Sequence, residues 1–537
     1  MSLYFWAALY CAAVVALNFG VICVSVGASK QFAYKEMDIY DDEEATGQTT
    51  PGTSTGSSKA FYANMISGSV FLGCAIGSAL IGLLSNWGRR KCMIFMHILS
   101  ITGCLIAAVG WHWVLFMIGR LLAGISVGMS GIGALYLSEI CAHAQRGLFG
   151  SLYSIFVTFG ELSISAWQLT HGTSLDPQCV ADKAKPPTNH NSCVKCPAED
   201  SAHKEKAVCE QKGKCLNCVA TKDKLIWRFG QLVGALLSVS ALVLLKKVVV
   251  DDTPFFLMQD EDVSEAKRVI GLLQGKDRVV PGFKELLQDM SLSKGEKIGV
   301  LEALQKPDAR QALFVVFFMA CIRQLCGIYV FTLGASELFG QIVGKGWTAT
   351  AWGQLCPLVN FLVCCVMPLY IDKFGRRNLL IYGSGFGTAV LVVALLLQLV
   401  DKMINSNGPK STWAQYTMII GCVAFVAGFS TGYGGVSWMY FSEALAPEYR
   451  DAAFGWASVI NWATAAVIVT TAKPMQNYLG EAVYWVYAGF SCISCLFAIG
   501  FVKETKGIPM GQAYVGASGV SLGEIISKAL MSLSLSG

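Results

Sequence analysis

Three groups of residues in this chain carry side chains that could do chemistry. The first is a pair of ions inside apolar runs, Glu161 and Arg323. A charge at such depth is costly and is normally either paired or functional. Glu161 lies 15 residues after Arg146 and Arg323 lies 13 after Arg310, so at 1.5 Å per residue both sit roughly 20 Å along a helix from the same side. Glu161 also falls seven residues after Ser154, on the same helix face. The two ions could pair with each other, or Arg323 could take an anionic ligand.

The second group is a set of charges that occurs twice. Tyr136, Ser138, Glu139 and Arg146 recur with the same internal spacing as Tyr440, Ser442, Glu443 and Arg450. The turn Gly88, Arg89, Arg90 recurs at the end of Asp372, Lys373, Phe374, Gly375, Arg376, Arg377, and Asp252, Thr253 recurs as Glu504, Thr505. Isolated charges at the edge of an apolar run must find partners, and the repeat supplies both signs. We expect these residues to form networks that hold two bundles together in one state and part in another. The simpler alternative is positive-inside topology with ordinary surface pairs.

The third group is Cys179, Cys193, Cys196, Cys209, Cys215 and Cys218, crowded into residues 171–224. The pairs Cys193, Cys196 and Cys215, Cys218 are 18 residues apart, a spacing that fits a four-thiolate zinc site. An even set of six in an apolar-poor loop also fits disulfides, and an extracellular position favours that reading over metal. No nucleophile and base, and no phosphate-cradling glycine loop, stands where an enzyme would need it.

The elements that must position these groups are membrane helices. With 537 residues, 54% hydrophobic and 14% charged, the chain is too apolar for an ordinary soluble enzyme. The net charge of +5 is spread over short loops, so it reports orientation rather than nucleic-acid binding. Apolar runs of about 20 residues or more fall at 4–28, 61–84, 91–109, 113–137, from 146 to near 170, and 225–250. A second set follows at 311–339, 352–371, 378–400, 416–441, 452–472 and 483–502. The repeat offset is 304 between Glu139 and Glu443 but 252 between Asp252 and Glu504, so the first half carries about 52 extra residues, which is the cysteine-rich loop.

The expected fold class is an all-α polytopic membrane protein with 12 transmembrane helices in two pseudo-symmetric six-helix bundles. Residues 1–250 form the first bundle with 171–224 outside, 251–310 a cytoplasmic linker with short helices, 311–502 the second bundle, and 503–537 a tail. Parity puts both arginine-rich turns and both termini on one side, the cytoplasm, although the loop at 171–224 holds nine lysines on the opposite face.

On these motifs, together with Arg323 to Ile328 (RQLCGI), Trp438, and Glu504 to Gly507 (ETKG), the chain resembles the sugar porter family of the major facilitator superfamily. The resemblance implies a central cavity in which a hexose is hydrogen-bonded mainly by the second half. Amides suit a polyhydroxyl ligand because each offers a donor and an acceptor. Matched by motif, Gln324, Asn360, Trp438, Asn461 and Trp462 are the implied substrate contacts. Arg323, Tyr329, Ser154 and Ser430 stand where the family has glutamine, asparagine, glutamine and glutamate, and Glu161 faces the same cavity. Each amide could instead be a buried polar residue joining helices.

Proton-coupled relatives commonly carry an aspartate in span one before a Gly-Val pair, and Asn18 stands there instead, before Gly20 and Val21. The expectation is facilitated diffusion of a hexose. The alternatives are proton symport through Glu161, or carriage of an anionic sugar derivative or polyol using Arg323. A non-transporting nutrient sensor is less favoured, since about 35 residues follow the last span. No cofactor or metal is expected. The partners are a small sugar and the bilayer, a monomer suffices, and the expected location is the plasma membrane.

Overall fold

The computed structural model describes residues 3–37, 54–84, 87–141, 146–167, 169, 221–259, 261–293, 298–343, 347–405, 411–508 and 511–514. Among these residues every regular element is a helix. Ten stretches are long and apolar enough to cross a membrane. One of them, Arg450–Gly500, contains two helices, Arg450–Leu479 and Val483–Gly500, and the helix Arg146–Trp167 adds another crossing. The count is therefore the twelve that the repeat demands.

The first two helices outrun their apolar stretches. Span one continues as Leu3–Glu36 and span two begins at Ser54. The hydrocarbon crossing is limited by hydrophobicity, whereas the helix continues through good formers such as Lys30, Gln31 and Ala33. Between spans six and seven lie the short helices Pro254–Gln259, Val263–Gln274, Val279–Ser293 and Val300–Ala303. Asp262 starts the second of these by accepting a hydrogen bond from the Glu265 N–H, an N-cap that the sequence Asp-Val-Ser-Glu supplies locally.

Apolar packing divides with the repeat. One core joins residues from Ile298 to Tyr514 and another joins Phe5 through Leu273, so each half has its own interior. Glycines allow neighbouring helices to touch: a Cβ at Gly124 or Gly128 would strike the backbone of Val70 or Cys74, and one at Gly428 the backbone of Gly383. Large apolar side chains such as Leu72, Val239, Leu362, Val393, Ile420 and Leu496 stay exposed in mid-span. In water such a surface would aggregate, but against lipid it is the expected outer face.

A third cluster crosses between the halves. It joins Val21, Phe71 and Cys74 to Trp462 and Ala465, with Tyr329 and Trp438 packed against it. A Cβ on Gly68 would meet Thr470 and Ala466, so spans two and eleven run in close contact there.

Spans four, seven and ten are interrupted within their length. Span four divides into Trp113–Gly128 and Gly131–Ile140, and span seven into Pro307–Leu325 and Ile328–Leu333. The break in span seven is set by Gly327 at φ +78°, where a Cβ would also come within 2.5 Å of the Tyr487 ring. Span ten runs as Thr412–Phe429 and Gly435–Ala444 with a π-helical turn at Ser430–Gly434. Broken backbone at membrane depth is tolerated where protein or a cavity satisfies the freed groups. Here the freed Tyr433 carbonyl accepts from the Ser437 hydroxyl at 2.6 Å and from Arg323 Nε at 3.1 Å.

Candidate functional site

The amides meet on spans seven and eleven. Gln324 Nε2 donates to Asn461 Oδ1 at 2.8 Å, and both side chains are buried, at 1% and 0% exposure. Gln324 Oε1 and Asn461 Nδ2 are left buried without a hydrogen-bond partner. A buried unpaired polar atom costs about 1–3 kcal/mol. This pair leaves one acceptor and one donor unmet, the two roles that a hydroxyl group can play.

Arg323 lies one residue away. Its Nη1 donates to the same Asn461 oxygen at 3.1 Å, and its guanidinium carbon sits 5.5 Å from the Trp438 ring centroid and 5.6 Å from that of Phe429. Trp438 is fixed in turn by Phe441 and Phe454. All of these partners are neutral. The expected Arg323 to Glu161 ion pair is not formed, because Glu161 is taken by an amide of the second half. Glu161 is held elsewhere: Asn360 Nδ2 donates to its Oε2 at 3.0 Å, while the Ser430 hydroxyl donates to Asn360 Oδ1 at 2.8 Å. This chain ties span five of the first half to spans eight and ten of the second.

Aromatic rings close the remaining side. Tyr329 packs on Phe71 at 4.6 Å between centroids, and Trp462 packs on Phe71 at 6.2 Å and Phe19 at 5.4 Å. Trp462 and Tyr329 thus form an apolar seam between the halves, with Phe159 on Phe361 beside Glu161. Ser154, two turns before Glu161 on the same helix, is exposed. Asn18 does not face this seam; its Nδ2 donates to Ser238 at 2.6 Å inside the first half.

The structure brings Arg323, Gln324, Trp438 and Asn461 together and places Glu161 with Asn360 and Ser430. Sequence reasoning missed Phe71, Phe19 and Phe429, which had no signal beyond an aromatic type in an apolar run. It also missed the Tyr433 carbonyl; the glycine run around it, Gly428 to Gly435, was the available sign of an irregular turn.

The charged turns are built alike in the two halves. Gly88 and Gly375 adopt φ of 91° and 83°, and a Cβ on either would collide with the carboxylate of Asp252 or Glu504. Each acid caps the helix that follows its glycine. Asp252 Oδ1 accepts from the Arg89 N–H at 3.0 Å, and Glu504 accepts from the N–H groups of Arg376 at 2.9 Å and Arg377 at 3.1 Å. The carboxylate answers both the unpaired donors and the positive helix terminus. Arg89 pairs with Glu139 at 3.0 Å, and Arg376 pairs with Glu443 at 2.9 Å and with Asp372 at 2.9 Å. Thr253 donates to Glu139, as Thr505 does to Glu443 at 2.5 Å. Arg90 and Arg377 donate to the main-chain oxygens of Val249 and Ile499.

These pairs are made inside each half, not between the bundles as expected, because spans three and four, and nine and ten, are each other's packing neighbours. Burial pushes the Glu139 carboxyl above its ordinary range despite Arg89, and does the same to Asp252 despite its backbone donors. Arg450 lies 3.6 Å from Asp451. The Arg146 side chain and the six cysteines at 179–218 fall outside the described residues; the fourteen other cysteines are all free thiols.

A family model described as "Sugar (and other) transporter" matches residues 5–170 and 214–514. The unmatched stretch between them, 171–213, lies within the inserted loop and holds four of its six cysteines, Cys179, Cys193, Cys196 and Cys209. The chain is similar to Hexose transporter 1 of Toxoplasma gondii, 26% identical over 507 residues, covering 92% of this chain and 80% of that one. It is also similar to Hexose transporter 1 of Plasmodium vivax (strain Brazil I), 24% identical with 83% and 81% covered, and to the galactose-proton symporter of Escherichia coli, 24% identical with 82% and 83% covered. The solved proton:xylose symporter XylE of the major facilitator superfamily superposes with a TM-score of 0.66 at 18% identity, over 95% of this chain and 98% of that one. At that identity the superposition shows a common fold.

Proposed function

The chain belongs to the sugar transporter family of the major facilitator superfamily, and on that premise we propose that it moves a hexose-like sugar across a membrane by alternating access. The observation that carries this reading is the Gln324 to Asn461 pair, which keeps one acceptor and one donor unpaired, Gln324 standing next in sequence to the Arg323 that packs on Trp438. Gln324 and Asn461 would take up sugar hydroxyls, and Trp438 the C–H surface of the ring. Asn360 and Glu161 line the facing wall, with Tyr329 and Trp462 closing the seam and Ser154 standing deeper on span five. The hexose transporters of similar sequence give the substrate class its support.

Residues 1–250 and 311–502 act as the two moving bundles, joined by the linker at 251–310. The charged turns stiffen the cytoplasmic end of each bundle, so that it moves as one body when the halves rock. Facilitated diffusion is favoured because Asn18, whose Nδ2 donates to Ser238, cannot titrate. The Glu161 to Asn360 bond favours proton symport as a second reading, since it joins the halves through the one acid at this depth. Both termini are assigned to the cytoplasm, the protein to the plasma membrane as a working monomer, and the cysteine loop to a disulfide-stapled outer cap.

Reconstituted protein tested for counterflow of labelled glucose and fructose, with and without a pH gradient, separates these readings. Saturable counterflow without proton-driven accumulation is expected. Accumulation against a sugar gradient on acidifying the outside would replace facilitated diffusion by symport, and no saturable flux of any sugar would end the transport reading.

A further inference from the structure

Arg323 is a cation with no carboxylate in direct contact, Glu161 acting on it only from a distance. Its Nε is taken by the Tyr433 carbonyl and its Nη1 by the Asn461 amide, both neutral oxygens. Its flat faces are covered by Phe429 and Trp438. Nη2 makes no hydrogen bond, yet it is not among the buried atoms left without a partner, and the side chain as a whole is only partly buried. The free edge of the fork therefore keeps some accessible surface. No carboxylate lies within 4 Å of it; Glu161, the acid at the same depth, is engaged by Asn360 on the opposite wall. An arginine always carries its charge in a protein, and a charge without a directly bound counter-ion in a poorly solvated site is costly.

A packing staple between spans seven, ten and eleven would need only the two bonds that are made. It would not need the exposed edge or the aromatic clamp, which together hold the guanidinium in one plane with donors facing outward. That arrangement matches a planar pair of oxygens. We propose that Arg323 is an oxyanion subsite within the sugar site, and that the preferred cargo is a sugar bearing one carboxylate, a hexuronic or aldonic acid. A single arginine balances a monoanion, whereas a phosphate monoester would leave excess negative charge against the Glu161 wall. The same polarity orients the ligand: its carboxylate faces Arg323, and its hydroxyls face Gln324, Asn461 and Asn360.

This inference rests on the transport reading but can fail separately. Purified full-length protein in liposomes is assayed for counterflow of labelled glucose and of labelled glucuronate at neutral pH. Unlabelled glucose, glucuronate, glucuronate methyl ester and glucose 6-phosphate serve as competitors. Charge-assisted bonds to the carboxylate predict that glucuronate competes about tenfold to a hundredfold better than its neutral methyl ester, with glucose 6-phosphate the weaker anion. Arg323→Gln should erase the gap between acid and ester, and Arg323→Lys, which keeps the charge but not the fork, should retain part of it.

Equal potency of acid and ester on the unsubstituted protein overturns the subsite, even if neither variant inserts. Glucose 6-phosphate outcompeting glucuronate overturns the carboxylate assignment. Saturable glucuronate counterflow without glucose counterflow removes only the neutral-hexose reading, whereas flux of neither ends both.

Discussion

Replacing Glu504 by alanine tests whether the charged turns work inside one half. The carboxylate accepts four backbone N–H bonds, from Arg376, Arg377, Thr505 and Lys506 at 2.9, 3.1, 3.0 and 2.9 Å. Two of those donors open span nine, and removing an N-cap acceptor costs about 1 kcal/mol. Losing the charge from the positive end of the helix adds about 0.3–1 kcal/mol. The total is about 2 kcal/mol, and Glu504→Gln, which keeps one acceptor oxygen, should lose roughly half of that.

The assay is thermal unfolding of purified protein in detergent, followed by exposure of the buried thiols. Asp252→Ala in the first half should behave similarly, because Asp252 caps span three in the same way. The informative measurement is the double variant. If each acid stabilises only its own half, the two losses add within about 0.5 kcal/mol. A coupling above about 1 kcal/mol would refute the intra-half account and restore a network between the bundles. A Glu504→Ala loss below about 0.5 kcal/mol would refute the capping argument itself.

Asn461→Ala strips the acceptor from Gln324 Nε2 and Arg323 Nη1 together, and leaving such donors unpaired costs about 2–4 kcal/mol; half-saturation for counterflow should rise about thirtyfold or more. Gly327→Ala forces a methyl at φ +78° into the Tyr487 ring and should lower the yield of folded protein, whereas Gly455→Ala, with nothing within 4 Å, should be neutral or slightly stabilising. Burial raises the folded-state pKa of Glu139 above its unfolded value. Its contribution is therefore complete below the unfolded value near about pH 4 and is lost as pH rises through the folded one. Thermal midpoints compared at pH 4.5 and pH 8 should thus move in favour of Glu139→Gln at the higher pH, and the opposite trend would contradict the burial argument.

Sequence by itself determined the span count, the duplication and the location of the insertion. All three follow from hydrophobic length and from motif offsets, which are one-dimensional. It also marked the residues of the candidate site, because amides and ions in apolar runs stand out without coordinates. What it could not assign was pairing. Arg323 and Glu161 share a depth, yet depth along a helix leaves rotation about its axis open, and a hydrogen bond needs both. The π-turn in span ten presents the Tyr433 carbonyl to Arg323, and Asn360 reaches Glu161 first. The repeated arginines and glutamates were recognised as partners, but only packing decided that Arg89 and Arg376 find the glutamate of their own half while Arg90 and Arg377 turn to main-chain carbonyls. Charge complementarity is satisfied by any nearby opposite ion, and nearness is a property of the folded bundle.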